Sequence, residues 1–149
     1  KEAKLDATEK ALMQTHPSRS AELVSTISAF RGTIEQAVRH HHENYDGSGY
    51  PLGLAGEAIP IAAQVIMLAD TMDAMTTDRP YRKALTYDQA RQELVDYSGV
   101  QFDPRVVEVF LGIPRREWSD IRRQTITAMT EHTHGRHFLA QVKAAAPKA

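Results

Sequence analysis

The chain has 149 residues, 42% hydrophobic and 25% charged, which fits one domain with its own core. A net charge of -1 excludes a global field for nucleic acid or membrane surfaces, and no apolar run has the length of a membrane span or the form of a signal peptide. The absence of cysteine removes disulfides, thiolate nucleophiles and thiolate metal sites, and it fits a cytoplasmic setting.

Asp6, followed three residues later by Glu9, makes a capping box and predicts a helix from near Ala7, with Leu12 and Met13 buried. It should stop around His16, because Pro17 disfavours helical geometry in the residue before it. Pro17 suits the first turn of a second helix, in which Ala21, Leu23, Val24, Ile27 and Phe30 recur near helical spacing until Arg31-Gly32. Thr33 is placed to cap a third helix, with Ile34, Ala37 and Val38 apolar and His40, His41 and His42 in its last turn. Residues 44–59 form a long glycine-bearing loop, anchored by Tyr50, Pro51, Leu52 and Leu54.

Pro60 opens the most apolar helix, expected to be central and buried nearly all round, with Asp70 and Asp73 at its far end. Thr76 to Lys83 reads as a basic turn. Thr86 with Gln89 is a second capping box, opening a helix to about Ser98, and Pro104 starts another through Val106, Val107, Phe110 and Leu111. Trp118, Ile121, Ile126 and Met129 predict one further helix, and residues 132–149 should fray with His132, His134 and His137 solvated. No strand is predicted, so the expected class is all-α.

The chemistry is concentrated at His40 to Pro51. Neighbouring helical residues point about 100° apart, so His41 and His42 either serve different ions or meet one ion lodged at the helix end. A solvated helix end is the competing reading of the trio. Asp70, set among Met67, Leu68, Ala69 and Met72, is costly to bury unless paired or metal-bound. Asp73 lies on its side of the helix; exposure, or pairing with Arg79 and Arg82, would also account for it. Imidazoles with a carboxylate suit Mn, Fe or Zn. Arg79, Arg82 and Lys83 beside such a site would suit a phosphate ester, although basic residues also complement a helix C-terminus. His16, alone before Pro17, reads more readily as a capping or core group.

His41-His42-Glu43 followed by Asp46-Gly47-Ser48-Gly49-Tyr50-Pro51 resembles the signature of HD-GYP phosphodiesterase domains. The resemblance extends through His16-Pro17, Gly56 to Pro60, Ala69 to Thr76, Asp78 to Leu85 and Gly99 to Pro104, covering roughly Lys1 to Leu111. It implies a helical HD-type bundle that hydrolyses cyclic di-GMP to the linear dinucleotide and, in some members, on to GMP. It further implies a centre of two or three divalent transition-metal ions, Fe or Mn first, with Zn and Ni as alternatives. By the same resemblance His16, His41, His42 and Asp70 fall on metal-ligand positions, and Arg79, Arg82, Tyr50 and Pro51 on substrate-binding ones. Glu43, Asp46, Gly47, Gly49 and Asp73 become supporting residues, and His40 is left as a solvated extra. The loop around Tyr50 is implied as a docking surface for diguanylate cyclase (GGDEF) domains, and a homodimer is permitted. Two alternatives stand beside this activity: a non-catalytic module that binds cyclic di-GMP or a cyclase, and an HD-superfamily phosphohydrolase for another nucleotide.

The chain departs from the family pattern at one point: it contains no His-Asp dipeptide, the family's other metal-holding motif. With Lys1 as its first residue, it is expected to be the C-terminal part of a longer domain and inactive alone. The expected organisation is residues 1–112 as the HD-GYP portion, 113–131 as a helical extension and 132–149 as a flexible tail.

Overall fold

The computed structural model describes residues 6–78, 82–125, 127 and 128. Six helices build the first compact unit: α1 (Ala7–Met13), α2 (His16–Ser25), α3 (Thr33–His40), α4 (Ile61–Thr76), α5 (Tyr87–Asp96) and α6 (Pro104–Leu111). Among the described residues there is no strand; an isolated bridge joins Ser98 to Phe102. The second unit, Gly112–Ala149, contributes a helical segment over 115–125. Ile126, Met129 and the 132–149 tail lie outside the described residues. No helix among those described is long and apolar enough to cross a membrane.

Local chemistry starts and stops these helices. The Asp6 carboxylate accepts from Glu9 N at 2.9 Å while Glu9 accepts from Asp6 N at 3.0 Å, closing the first capping box. Thr86 and Gln89 close the second reciprocally at the start of α5. Pro17 is buried in the first turn of α2, where its missing N–H leaves nothing unsatisfied. Gly32, with φ 87°, is the N-cap of α3, so Thr33 is the first helical residue and not the expected cap.

α3 packs against both α2 and α4, and α4 in turn meets α5 and α6. Ala21, Ala37 and Ala63 are buried on the three packed helices, so small side chains set close approaches between them. Met67, Leu68, Met72 and Met75 carry the buried face of α4 toward Ala90, Leu94, Phe102, Val107 and Phe110.

Several burial expectations fail for one physical reason: periodicity identifies a shared face, and burial requires something to cover it. Leu12 is 63% exposed, Met13 is exposed, and α1 buries none of its residues. The second helix is shorter than predicted. It ends at Ser25, where the Ser25 and Thr26 hydroxyls donate back to the Glu22 and Leu23 carbonyls. Ile27 is then extended, a short 3₁₀ turn Ser28–Phe30 follows, and Leu23, Ile27 and Phe30 stay exposed. α4 is half-buried in place of buried all round, with Ile61, Val65 and Ile66 on its exposed side.

Asp103 fixes the start of α6. Its buried carboxylate accepts from Arg105 N at 2.8 Å and from the Arg105 guanidinium at 2.7 Å. The Arg105 hydrogen bonds hold the Asp103 pKa below the usual carboxylate value, against the opposing effect of burial. A depressed folded-state pKa contributes stability that is present above the unfolded value and lost as pH falls through the folded one. Asp103→Ala is therefore expected to lower unfolding free energy by about 1–2 kcal/mol at neutral pH. In urea titrations the difference from wild type should shrink as pH drops below about 3.9. An equal difference at neutral and strongly acidic pH would contradict this account.

Candidate metal centre

Three imidazoles converge from two helices. His16 is the first residue of α2; His41 and His42 follow the last residue of α3. Because α3 ends at His40, the 100° divergence of adjacent helical side chains does not apply. His41, at φ -69° and ψ 0°, turns the chain so that the His41 and His42 rings come within 4.1 Å centroid to centroid. One nitrogen from each of His16, His41 and His42 lies within 4.8 Å of the others, so the three could hold a metal ion.

The hydrogen bonds select which nitrogens are free. A carbonyl can only accept, so Nδ1–H of His16 donates to Met13 O and Nδ1–H of His41 donates to Val38 O, each at 2.7 Å. In the neutral rings this leaves Nε2 of both as a lone pair. His42 Nε2 lies 3.1 Å from His16 Nε2. Two nitrogens bound to one ion at ~2.1 Å would be separated by roughly 3.0–3.4 Å. The donor set and its spacing fit a borderline divalent cation. Burial first, then the neighbouring charges of His41 and His16, push the His42 pKa down to about 4, with Asp70 pulling the other way. His42 is thus neutral at pH 7, the form in which imidazole ligates.

A cavity of about 380 Å³ opens beside this cluster, lined by His41, His42, Tyr50, Asp70, Thr71 and Gln101 among others. Asp70 is exposed on α4, not buried among its apolar neighbours; on the helix surface it escapes the expected desolvation cost. Tyr50 stacks on His42 at 4.9 Å and 26°. Burial, then the Asp70 charge, raises the Tyr50 pKa, so its phenol stays protonated at neutral pH.

His40 is not solvated. It is 3% exposed, with Nε2 3.1 Å from Gln36 Oε1 and Nδ1 3.5 Å from Glu43 Oε1. Glu43, 1% exposed, also accepts from Leu52 N at 2.8 Å and Leu54 N at 3.1 Å. One buried carboxylate thereby ties the histidine turn to the far side of the loop. Asp46 accepts from Ser48 N at 2.9 Å; hydrogen bonding by the Ser48 side chain first, then by its backbone, depresses the Asp46 pKa, and Tyr50 N donates to His42 O at 3.1 Å. The Tyr50–Pro51 peptide is cis, and Gly47 has φ 85°. Tyr45 N and Asp46 N donate to Gln101 O and Val100 O, which docks the loop on the turn before α6.

The remaining sequence candidates are distributed as follows. Asp73 is exposed, within 3.4 Å of the Thr77 hydroxyl, and does not line the cavity. Pro51 and Gly47 are half-buried in the loop, and Gly49 lines the cavity wall. Arg82 also stays outside the cavity and donates to Ala74 O at 2.7 Å, satisfying a carbonyl near the end of α4. Arg79 lies outside the described residues. Sequence reasoning singled out none of the lining residues Lys10, Gln14, Asn44, Thr71 and Gln101. Asn44, Thr71 and Gln101 fall within or beside the loop and motif stretches, whereas Lys10 and Gln14 carry no pattern that marks them.

A family model described as HD domain matches residues 1–106. The chain is 37% identical over 122 residues to a cyclic di-GMP phosphodiesterase of Vibrio cholerae, covering 78% of this chain and 25% of that protein. It is 43% identical over 112 residues to a cyclic di-GMP phosphodiesterase response regulator of Xanthomonas campestris, covering 74% of this chain and 30% of that protein. The chain therefore spans 25% and 30% of these curated relatives' lengths. A crystal structure of a cyclic GMP-AMP specific phosphodiesterase of V. cholerae superposes with a TM-score of 0.61 at 29% identity, covering 78% of this chain and 28% of that one.

Proposed function

Since the chain belongs to the HD domain family and is homologous to HD-GYP phosphodiesterases over most of its length, we propose that it carries part of the active site of a metal-dependent enzyme that hydrolyses cyclic di-GMP. The observation that carries the reading is the pair of Nε2 atoms 3.1 Å apart on His16 and His42, at the edge of a cavity that Asp70 lines.

In this reading His16, His41, His42 and Asp70 hold divalent ions, iron or manganese. The chemistry supplied by such ions is Lewis-acid polarisation of a phosphoryl oxygen and acidification of water to a useful nucleophile at neutral pH. The chain's own residues bind and orient. The Met13 and Val38 carbonyls hold the His16 and His41 rings with Nε2 presented inward. Tyr50 fixes the plane of His42 by stacking and offers a protonated phenol at the cavity wall. Glu43 and His40 keep the loop in register with the cluster. Gln101 and Asn44 present amides where a nucleobase or sugar would lie.

Three imidazoles and one carboxylate are few donors for two or three ions. The chain by itself is therefore expected to bind metal weakly and turn over slowly. The test compares metal content and cyclic di-GMP hydrolysis for this chain and for the complete gene product, with 3′3′-cGAMP as competitor. The reading expects linear dinucleotide from the complete protein and little from the chain alone. A complete protein that holds no transition metal and releases no linear product would sink it. Preference for 3′3′-cGAMP would keep the reaction class and change the substrate.

A further inference from the structure

Lys10 reaches the same cavity from an element that contributes no metal-cluster residue. It lies on α1, is exposed, and has no carboxylate partner among the described residues. It is the one lysine or arginine among the described residues that line the cavity. Arg82, the described arginine that sequence order places near Asp70, is engaged with the Ala74 carbonyl and does not line this space.

The position of Lys10 is also coupled to the cluster. Met13, one helical turn along α1, accepts the Nδ1–H of His16, so the end of α1 and the imidazoles are set together. An ammonium beside a cation-binding cluster is repelled when those ions are bound, unless an anion lies between them. Asp70 is the one carboxylate among the described lining residues, and the metal reading commits it to the ions. The anion both cations would share is then a phosphate.

We propose that Lys10 is a substrate-binding residue whose ammonium donates to a non-bridging phosphate oxygen of a cyclic dinucleotide held in the cavity. This inference rests on the phosphodiesterase reading. A cyclic dinucleotide carries two phosphodiester charges, and among the described lining residues Lys10 supplies the positive side-chain charge against them. Lysine suits the task as a point charge on a flexible stem that can follow the phosphate.

The test uses the complete gene product with Lys10→Gln and Lys10→Arg. Three readouts are compared: metal content, steady-state hydrolysis of cyclic di-GMP, and equilibrium binding of a slowly hydrolysed phosphorothioate analogue. Lys10→Gln should raise Kd and KM about ten-fold, the scale of one charge-assisted contact, with kcat and metal content nearly unchanged. Lys10→Arg should recover most of the affinity, and binding by Lys10→Gln should depend less steeply on salt than wild type. Lys10 is exposed, so neither variant disturbs a packed core, and helix content by circular dichroism checks that both fold. Unchanged Kd in Lys10→Gln, with metal and turnover retained, overturns the assignment and leaves the phosphodiesterase reading standing. Loss of metal together with affinity also overturns it, since Lys10 would then act through the cluster. A wild-type protein that binds neither metal nor dinucleotide removes the reading on which the inference rests.

Discussion

His42→Ala is expected to empty the metal centre. The substitution removes the nitrogen that stands 3.1 Å from His16 Nε2 and leaves the other two imidazoles without the partner that closes their geometry. Loss of a residue that merely supports a ligand lowers metal affinity about 10–100-fold, and loss of a ligand itself should exceed that. In the complete gene product, transition-metal content measured by atomic emission should fall towards background, and hydrolysis with it. The metal-free fold should barely notice: His42 is half-buried and neutral at pH 7, and its ring meets the His41, His16 and Tyr50 rings at the rim of the cavity, not the apolar core. Metal-free wild type and variant should therefore unfold within about 1 kcal/mol of each other. Protons should compete with metal at His42 only as pH falls towards its value of about 4. Full metal content in His42→Ala would mean that the ligand assignment is wrong.

Sequence patterns succeeded here where the determining interactions are local. The two capping boxes depend on residues three apart, and both close as the side chains predict. The motif order from His16 to Pro104 identifies the family because it is a long ordered series. What failed depends on surroundings. His40 could be counted as one of a solvated trio until the fold placed it against Gln36 and Glu43. The paired histidines point apart on a helix, and only the end of α3 at His40 lets their rings approach. Arg82 follows Asp70 closely in sequence, yet its guanidinium goes to a backbone carbonyl. Lys10 joins the cavity by the packing of α1, which no short pattern encodes.

Gly49→Ala is expected to be more damaging than a methyl added at Gly32, Gly47, Gly53, Gly56 or Gly99. A Cβ at Gly49 would lie 2.2 Å from Asn44 N, 2.5 Å from Glu43 Cα and 2.5 Å from His42 O. All three contacts are backbone, so no flexible side chain can move aside. The requirement is space, since Gly49 does not have a positive φ. Relief means moving the loop away from residues 42–44, which breaks the Tyr50 N to His42 O hydrogen bond and separates Tyr50 from the His42 ring. A cost of about 3 kcal/mol or more follows from forced backbone displacement in a packed segment, together with weaker metal binding in the complete protein. Gly47→Ala is the control. Gly47 has φ 85°, and its added Cβ would meet the Ala55 side chain at 3.2 Å. Its cost is mainly that of a left-handed residue, about 1 kcal/mol. Chemical denaturation should therefore rank wild type above Gly47→Ala and both well above Gly49→Ala. The reverse order for the two variants would show that backbone conformation, not the approach of the loop to the histidine turn, is what requires glycine in this loop.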